Sequence, residues 1–178
     1  MAESRQDLAI MLPDVIEAIV EAEKKGYDAV FSACLTDSGI AEGRELVNIP
    51  VLGSLKVSMH VYAMLGHRFT ILMPNEYIGK YIQETIHKYG FEGRGSVRAL
   101  KRSMTAEDAV SAFLQYKRGG KSPGFIIDDL VSECVDAIRE DDAEVLGMGC
   151  GTLVWAADMV SDELRKRGYD IPVLNPYS

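Results

Sequence analysis

The sequence predicts an α/β protein with parallel sheets, arranged as two lobes that face each other across a cleft. Three observations predict it. Short apolar runs alternate with segments of helical periodicity, the runs lack the polar alternation of a half-exposed sheet, and one block of strand, cysteine and helix occurs twice. A length of 178 residues with 47% hydrophobic content suffices for a buried core in one domain or two small lobes.

Over 8–25, Leu12, Val15, Ile16, Ile19 and Val20 recur at helical spacing, and Gly26 closes the segment. Ala29-Val30-Phe31-Ser32-Ala33 reads as a strand covered on both faces, with Cys34 at its C-terminal tip. Beyond Thr36-Asp37-Ser38-Gly39, a short helix through Leu46 leads to a second buried strand, Ile49-Pro50-Val51-Leu52, ending at Gly53. A helix over 54–65, a strand over 69–73, a helix over 77–89 and a strand over 96–100 follow. A polar connection containing Gly119-Gly120-Lys121-Ser122-Pro123-Gly124 then leads to a helix over 125–139. A strand over 144–148 ends at Gly149-Cys150-Gly151, a helix covers 153–167, and Ile171-Pro172-Val173-Leu174 closes the series. This alternation implies right-handed crossovers between parallel strands. The lobe boundary is placed near Gly66, with 1–66 as the first lobe and 67–178 as the second.

The duplication runs as follows in residues. Gly26-Tyr27-Asp28, a strand, Cys34-Leu35-Thr36, a helix and Ile49-Pro50-Val51-Leu52 match a later strand, Cys150-Gly151-Thr152, a helix, Gly168-Tyr169-Asp170 and Ile171-Pro172-Val173-Leu174. Two related lobes with a cysteine at a strand tip imply a pseudo-twofold site in the cleft, where open α/β sheets place their ligands.

Composition narrows the function. A net charge of −8 and the lack of stacking aromatics around Arg94, Arg98, Lys101 and Arg102 argue against nucleic acid and make that stretch a solvated face. No run of about 18 apolar residues is present to span a membrane, and Met1-Ala2-Glu3-Ser4-Arg5-Gln6-Asp7 is no secretory signal, so a cytoplasmic protein is expected. Three cysteines without a Cys-x-x-Cys pair or a Cys/His cluster predict free thiols and no metal site, and the glycine-rich segments match no nucleotide fingerprint. Cys134, inside Leu130-Val131-Ser132-Glu133-Cys134-Val135, reads as core, and His60, His67 and His87 have no partner carboxylate in sequence.

Cys34 and Cys150 are the candidate catalytic residues. Inverting a carbon beside a carbonyl requires one group to take the α-proton from one face and another to return a proton on the opposite face, and two thiols suit this. Both cysteines precede predicted helices, whose open backbone N–H groups at Leu35, Thr36, Gly151 and Thr152 would hold a carboxylate or a developing enolate oxygen. Thr36, Ser38 and Thr152 could add hydroxyl donors, and they read equally as N-caps. Asn75, past the strand Ile71-Leu72-Met73-Pro74, could contact a carboxylate or imide and is also a turn signal.

Ala33-Cys34-Leu35-Thr36-Asp37-Ser38-Gly39, with Arg44-Glu45-Leu46 and Ile49-Pro50-Val51-Leu52-Gly53, resembles the first-cysteine segment of the aspartate/glutamate/hydantoin racemase superfamily, hydantoin racemases above all. Leu65-Gly66-His67-Arg68-Phe69-Thr70-Ile71-Leu72 resembles the crossing into their second lobe, and Leu146-Gly147-Met148-Gly149-Cys150-Gly151 their second-cysteine motif. The resemblance implies two flavodoxin-like lobes, proton transfer by two cysteines without a cofactor, a small carboxylate or cyclic imide as substrate, and often a homo-oligomer. Members usually open with a strand ending in an Asn-Pro-Asn-Thr-like loop and close with a helix packed on the first lobe. Nothing before Leu8 or after Tyr177-Ser178 matches these, so the chain reads as a form shortened at both ends. Two further readings stay open: a non-catalytic protein that binds small anions, and a cis-trans isomerase of an unsaturated dicarboxylate.

Overall fold

The computed structural model describes residues 2–119 and 124–177. Its class is the expected one: seven α-helices and six strands among the described residues, with every strand pairing parallel. Strands β1 (Val30–Ser32) and β2 (Val51–Gly53) form one sheet. Strands β3 (Phe69–Met73), β4 (Gly95–Ala99), β5 (Val145–Met148) and β6 (Val173–Leu174) form the other, in the order β4-β3-β5-β6. Chain order reverses on either side of β3, so a crevice opens beyond the C-terminal ends of β3 and β5. Asn75 and Cys150 follow those two ends.

Local chemistry sets the helices. Helix α1 (Arg5–Lys24) starts at a capping box in which Ser4 and Asp7 bond each other's backbone N–H, and it ends before Gly26 at φ 81°. Helices α2 (Ile40–Arg44), α3 (Ser54–Leu65) and α4 (Glu76–Lys88) follow. Helix α5 (Ala106–Lys117) occupies part of the expected polar connection. Its start is a second capping box, Thr105 with Asp108, and Ala109 and Ala112 are buried. Small apolar residues give a faint periodic stripe, and the polar run beyond outweighs it when the sequence is read alone. Gly120, Lys121, Ser122 and Pro123 lie outside the described residues. Helix α6 (Gly124–Glu140) leads to β5, and a 3-10 turn (Val154–Ala156) leads into α7 (Ala157–Lys166).

The larger core sits between α5, α6, α7 and the four-stranded sheet, around Leu72, Leu130, Cys134, Leu146 and Val160. On the other face, α3 buries Leu55, Met59 and Tyr62 against Phe69, Ile71 and Val145. Helix α3 follows β2 directly yet packs on the second sheet, so it fixes the two sheets relative to each other. Among the described residues, no helix is long and apolar enough to cross a membrane.

The basic stretch differs from a solvated face. Arg94 donates to the carbonyls of Ala63, Gly66 and His67 at the end of α3. Arg98, with only 18% of its side chain exposed, donates to both carboxylate oxygens of Asp141 at 2.7 and 2.9 Å and to Glu140 at 2.7 Å, and lies 3.9 Å from the buried Glu133. Lys101 pairs with Asp136, and Arg102 with Asp129. These pairs tie β4 and the segment after it to α6, a long-range arrangement that cannot be read from adjacent residues. Arg98→Ala is expected to lower unfolding free energy by about 3 kcal/mol, because Asp141 would lose two charge-assisted hydrogen bonds and the buried Glu133 would keep only Lys101, at 3.5 Å, as a neighbouring cation. Urea denaturation followed by circular dichroism measures it.

Candidate active site

The two duplicated blocks fold alike. Val30 pairs with Val51 and Phe31 with Leu52, while Leu146 pairs with Val173 and Gly147 with Leu174, so each cysteine strand lies beside its Ile-Pro-Val-Leu strand in the same register. The entering hydrogen bonds also match: Val30 N–H donates to the Pro50 carbonyl at 2.8 Å and Leu146 N–H to the Pro172 carbonyl at 2.9 Å. Beyond each strand the chain turns. Asp37 N–H donates to the Cys34 carbonyl and Leu153 N–H to the Cys150 carbonyl. In both turns a threonine hydroxyl sits 3.1 Å from the sulfur, Thr36 on Cys34 and Thr152 on Cys150.

Both sulfurs, Cys34 exposed and Cys150 half-buried, line one cleft of about 360 Å³. Leu35, Thr36, Asn75, Gly151 and Thr152 line it too. Among the described residues, no backbone N–H of Leu35, Thr36, Gly151 or Thr152 donates to a protein acceptor. Asn75 caps α4 through its side-chain oxygen, which accepts from Ile78 N–H at 3.1 Å, and its amide NH₂ is the side chain's remaining donor group at the cleft wall. Met73, Ile78, Met104 and Ala109 form an apolar wall, and no Lys, Arg or His occurs among the described lining residues.

One expectation is corrected. Neither cysteine stands at a helix start, since α2 begins only at Ile40 and α7 only at Ala157. Asp37 at φ 48° and Gly39 at φ 77° keep the first segment out of helical geometry, and the 3-10 turn does so in the second. The open N–H groups therefore belong to turns, where donors converge without a helix dipole. For the same reason Thr36, Ser38 and Thr152 cap no helix among the described residues. Ser38 lies outside the cleft and donates to Thr36 Oγ1 at 3.1 Å, so one hydroxyl oxygen links Ser38 to the Cys34 sulfur.

Asp37 anchors the first turn. Its buried carboxylate accepts from Leu55 N–H and Lys56 N–H, both at 3.0 Å, at the start of α3, and from the Tyr89 hydroxyl at 3.2 Å. Gly53 makes this approach possible, because a Cβ there would collide with the carboxylate. Burial pushes the Asp37 carboxyl up, opposed by those three donors. The Tyr81 hydroxyl holds the Thr36 carbonyl at 3.2 Å, and Trp155 Nε1 holds the Thr152 carbonyl at 2.6 Å. Tyr177 and the start of α5 join the lining without any sequence signal that they belong to a site, although the Thr105/Asp108 spacing marks the helix itself. Among the described residues, no group of three His, Cys, Asp or Glu is placed to hold a metal ion.

The sequence profile of the Asp/Glu/Hydantoin racemase family matches residues 1–178. The chain belongs to that family. Within it, the hydantoin racemase of Pseudomonas sp. (strain NS671) is 30% identical over 162 residues, covering 91% of this chain and 61% of that protein. The hydantoin racemase of Paenarthrobacter aurescens is 27% identical over 174 residues, covering 96% and 66%. The allantoin racemase of Klebsiella pneumoniae superposes with a TM-score of 0.78 at 26% identity, covering 99% of this family member and 65% of that chain. The present chain thus spans less than two thirds of the length of these racemases.

Proposed function

We propose that this cleft racemises a small carboxylate or cyclic imide without a cofactor, a neutral hydantoin-type ring before a free amino acid, with Cys34 and Cys150 exchanging acid and base roles. The observation that carries the reading is the pair of matching turns, each offering one sulfur to the same cleft. One cysteine, as thiolate, takes the α-proton, and its electron pair passes into the adjacent carbonyl as an enolate. The other, as thiol, returns a proton on the opposite face, so each turnover exchanges the protonation states of the two sulfurs. The unpaired N–H groups of Thr36, Gly151 and Thr152 and the Asn75 amide are donors for the enolate and the remaining ring oxygens.

The preference for a neutral ring follows from charge. A free carboxylate brought into a cleft whose described lining holds no cation loses solvation with no ionic partner, whereas imide oxygens need only hydrogen bonds. The apolar wall suits an alkyl or aryl substituent at the stereocentre.

Proton NMR in heavy water tests the reading, by following the α-proton signal of enantiopure 5-substituted hydantoins, aspartate and glutamate against protein-free controls. Loss of signal from hydantoins beyond the control rate, with aspartate and glutamate unchanged, is expected. No added exchange across the panel would overturn the reading in favour of a binding protein or a diacid isomerase. Cys134→Ala should leave turnover unchanged, because Cys134 is fully enclosed by core residues and burial pushes its thiol up to about 12.

A further inference from the structure

Tyr177 touches both cysteine turns. Its hydroxyl donates to the carbonyl of Ala33, the residue before Cys34. Its ring lies over Gly151, the residue after Cys150, so closely that a Cβ there would sit 3.3 Å from Cε2 and 3.4 Å from the hydroxyl oxygen. Strand β6 and the turn after it deliver the ring to this place. β6 runs beside β5, and Asn175 Oδ1 then accepts from Tyr177 N–H at 2.9 Å, an Asx-type turn that carries the chain over the cleft.

The duplicated blocks differ here in an informative way. In the first block, β2 passes directly into α3, and Leu55 is fully buried with its N–H on Asp37. The register that pairs Val51 with Val30 and Val173 with Leu146 sets Tyr177 opposite Leu55 in the comparison of blocks. The second block thus replaces a buried leucine with a phenol that reaches back to the first block. Burial, then the nearby Cys34 and Cys150 sulfurs, push the phenol well above its ordinary range, so it remains a neutral donor.

We infer that Tyr177 is a positioning residue that holds the Cys34 and Cys150 turns at a set separation across the cleft, through its hydroxyl on one and its ring on the other. This rests on the two-cysteine reading for its importance to turnover, but the separation can be measured without turnover. The probe is dibromobimane, which fluoresces when both of its arms have alkylated thiols, with iodoacetamide labelling and mass spectrometry reporting each thiol alone. Cys134 is fully buried and stays out of the reaction.

The parent protein should crosslink Cys34 to Cys150. Tyr177→Phe keeps the ring and removes the tie to Ala33, so the ratio of crosslinked to singly labelled protein should drop roughly fivefold, the weight of one ordinary hydrogen bond. Tyr177→Ala should drop it further. Single-thiol labelling rates and the circular dichroism melting curve of Tyr177→Phe should match the parent. A parent that does not crosslink, or a folded Tyr177→Phe that crosslinks like the parent, would overturn the inference. Loss of crosslinking in Tyr177→Phe while the parent exchanges no α-proton would uphold the positioning role and defeat the racemase reading. Strong exchange by the parent with equal crosslinking in both proteins would do the reverse.

Discussion

Cys34→Ala and Cys150→Ala should each lower α-proton exchange in hydantoins by about 10³-fold or more, the span expected when a general acid or base is removed. Each protein should keep the parent's circular dichroism spectrum and nearly its melting temperature, because both thiols line a cleft, Cys34 exposed and Cys150 packing only half-buried against the edge of the larger core. Proton balance requires a loss in both variants. A racemase must protonate the face opposite the one it deprotonates, so a single remaining thiol could remove a proton and return it only to the same side. Each variant therefore has a distinguishing signature. A one-thiol protein could still exchange the α-proton of one enantiomer with solvent at a reduced rate while producing none of the other. Chiral chromatography beside the NMR readout separates these outcomes, and full racemisation by either variant would rule out the two-thiol mechanism. The double variant should be no worse than the more damaged single one, since groups that act as a unit are not additive.

Asp37→Ala should lower unfolding free energy by about 2 kcal/mol and reduce exchange as well. The stability loss comes from the start of α3, where Leu55 N–H and Lys56 N–H would lose their shared acceptor and the Leu55 donor is enclosed by the core. The activity loss comes from the Cys34 turn, whose backbone is held at φ 48° by that same carboxylate. Burial raises the Asp37 carboxyl in the folded state, so the folded protein keeps this proton to higher pH than the unfolded chain. Its titration thus contributes stability that is full below the unfolded value near 3.9 and is lost as pH rises through the folded value. The variant lacks this contribution. The gap between parent and Asp37→Ala should accordingly be widest at acid pH and narrower at pH 7. Urea titrations at both pH values measure this, and a gap that widens toward neutrality would count against the burial argument.

Much of this protein was legible from its residues. Uniformly apolar runs such as Phe69-Thr70-Ile71-Leu72-Met73 declared parallel strands, because a strand covered on both faces has no reason to alternate. The repeat of Cys-x-Thr before Ile-Pro-Val-Leu declared the matched blocks, since like sequences in like contexts adopt like registers. That both cysteines stand at strand tips followed from where the apolar runs end. What only the tertiary structure decided depends on contacts between residues distant in sequence or on backbone choices made by their surroundings. The helix start expected at Cys34 became a turn because Asp37 is drawn across to α3 and Gly39 packs against Val15 of α1, while after Cys150 a 3-10 turn precedes α7. Arg98 of β4 became an internal strut because α6 presents Glu133 and Glu140, and the turn after it Asp141, to its guanidinium. Tyr177 reads in sequence as a plain aromatic after a proline. It becomes a bridge only because β6 runs beside β5 and aims the following turn at Ala33, a carbonyl 144 positions away along the chain.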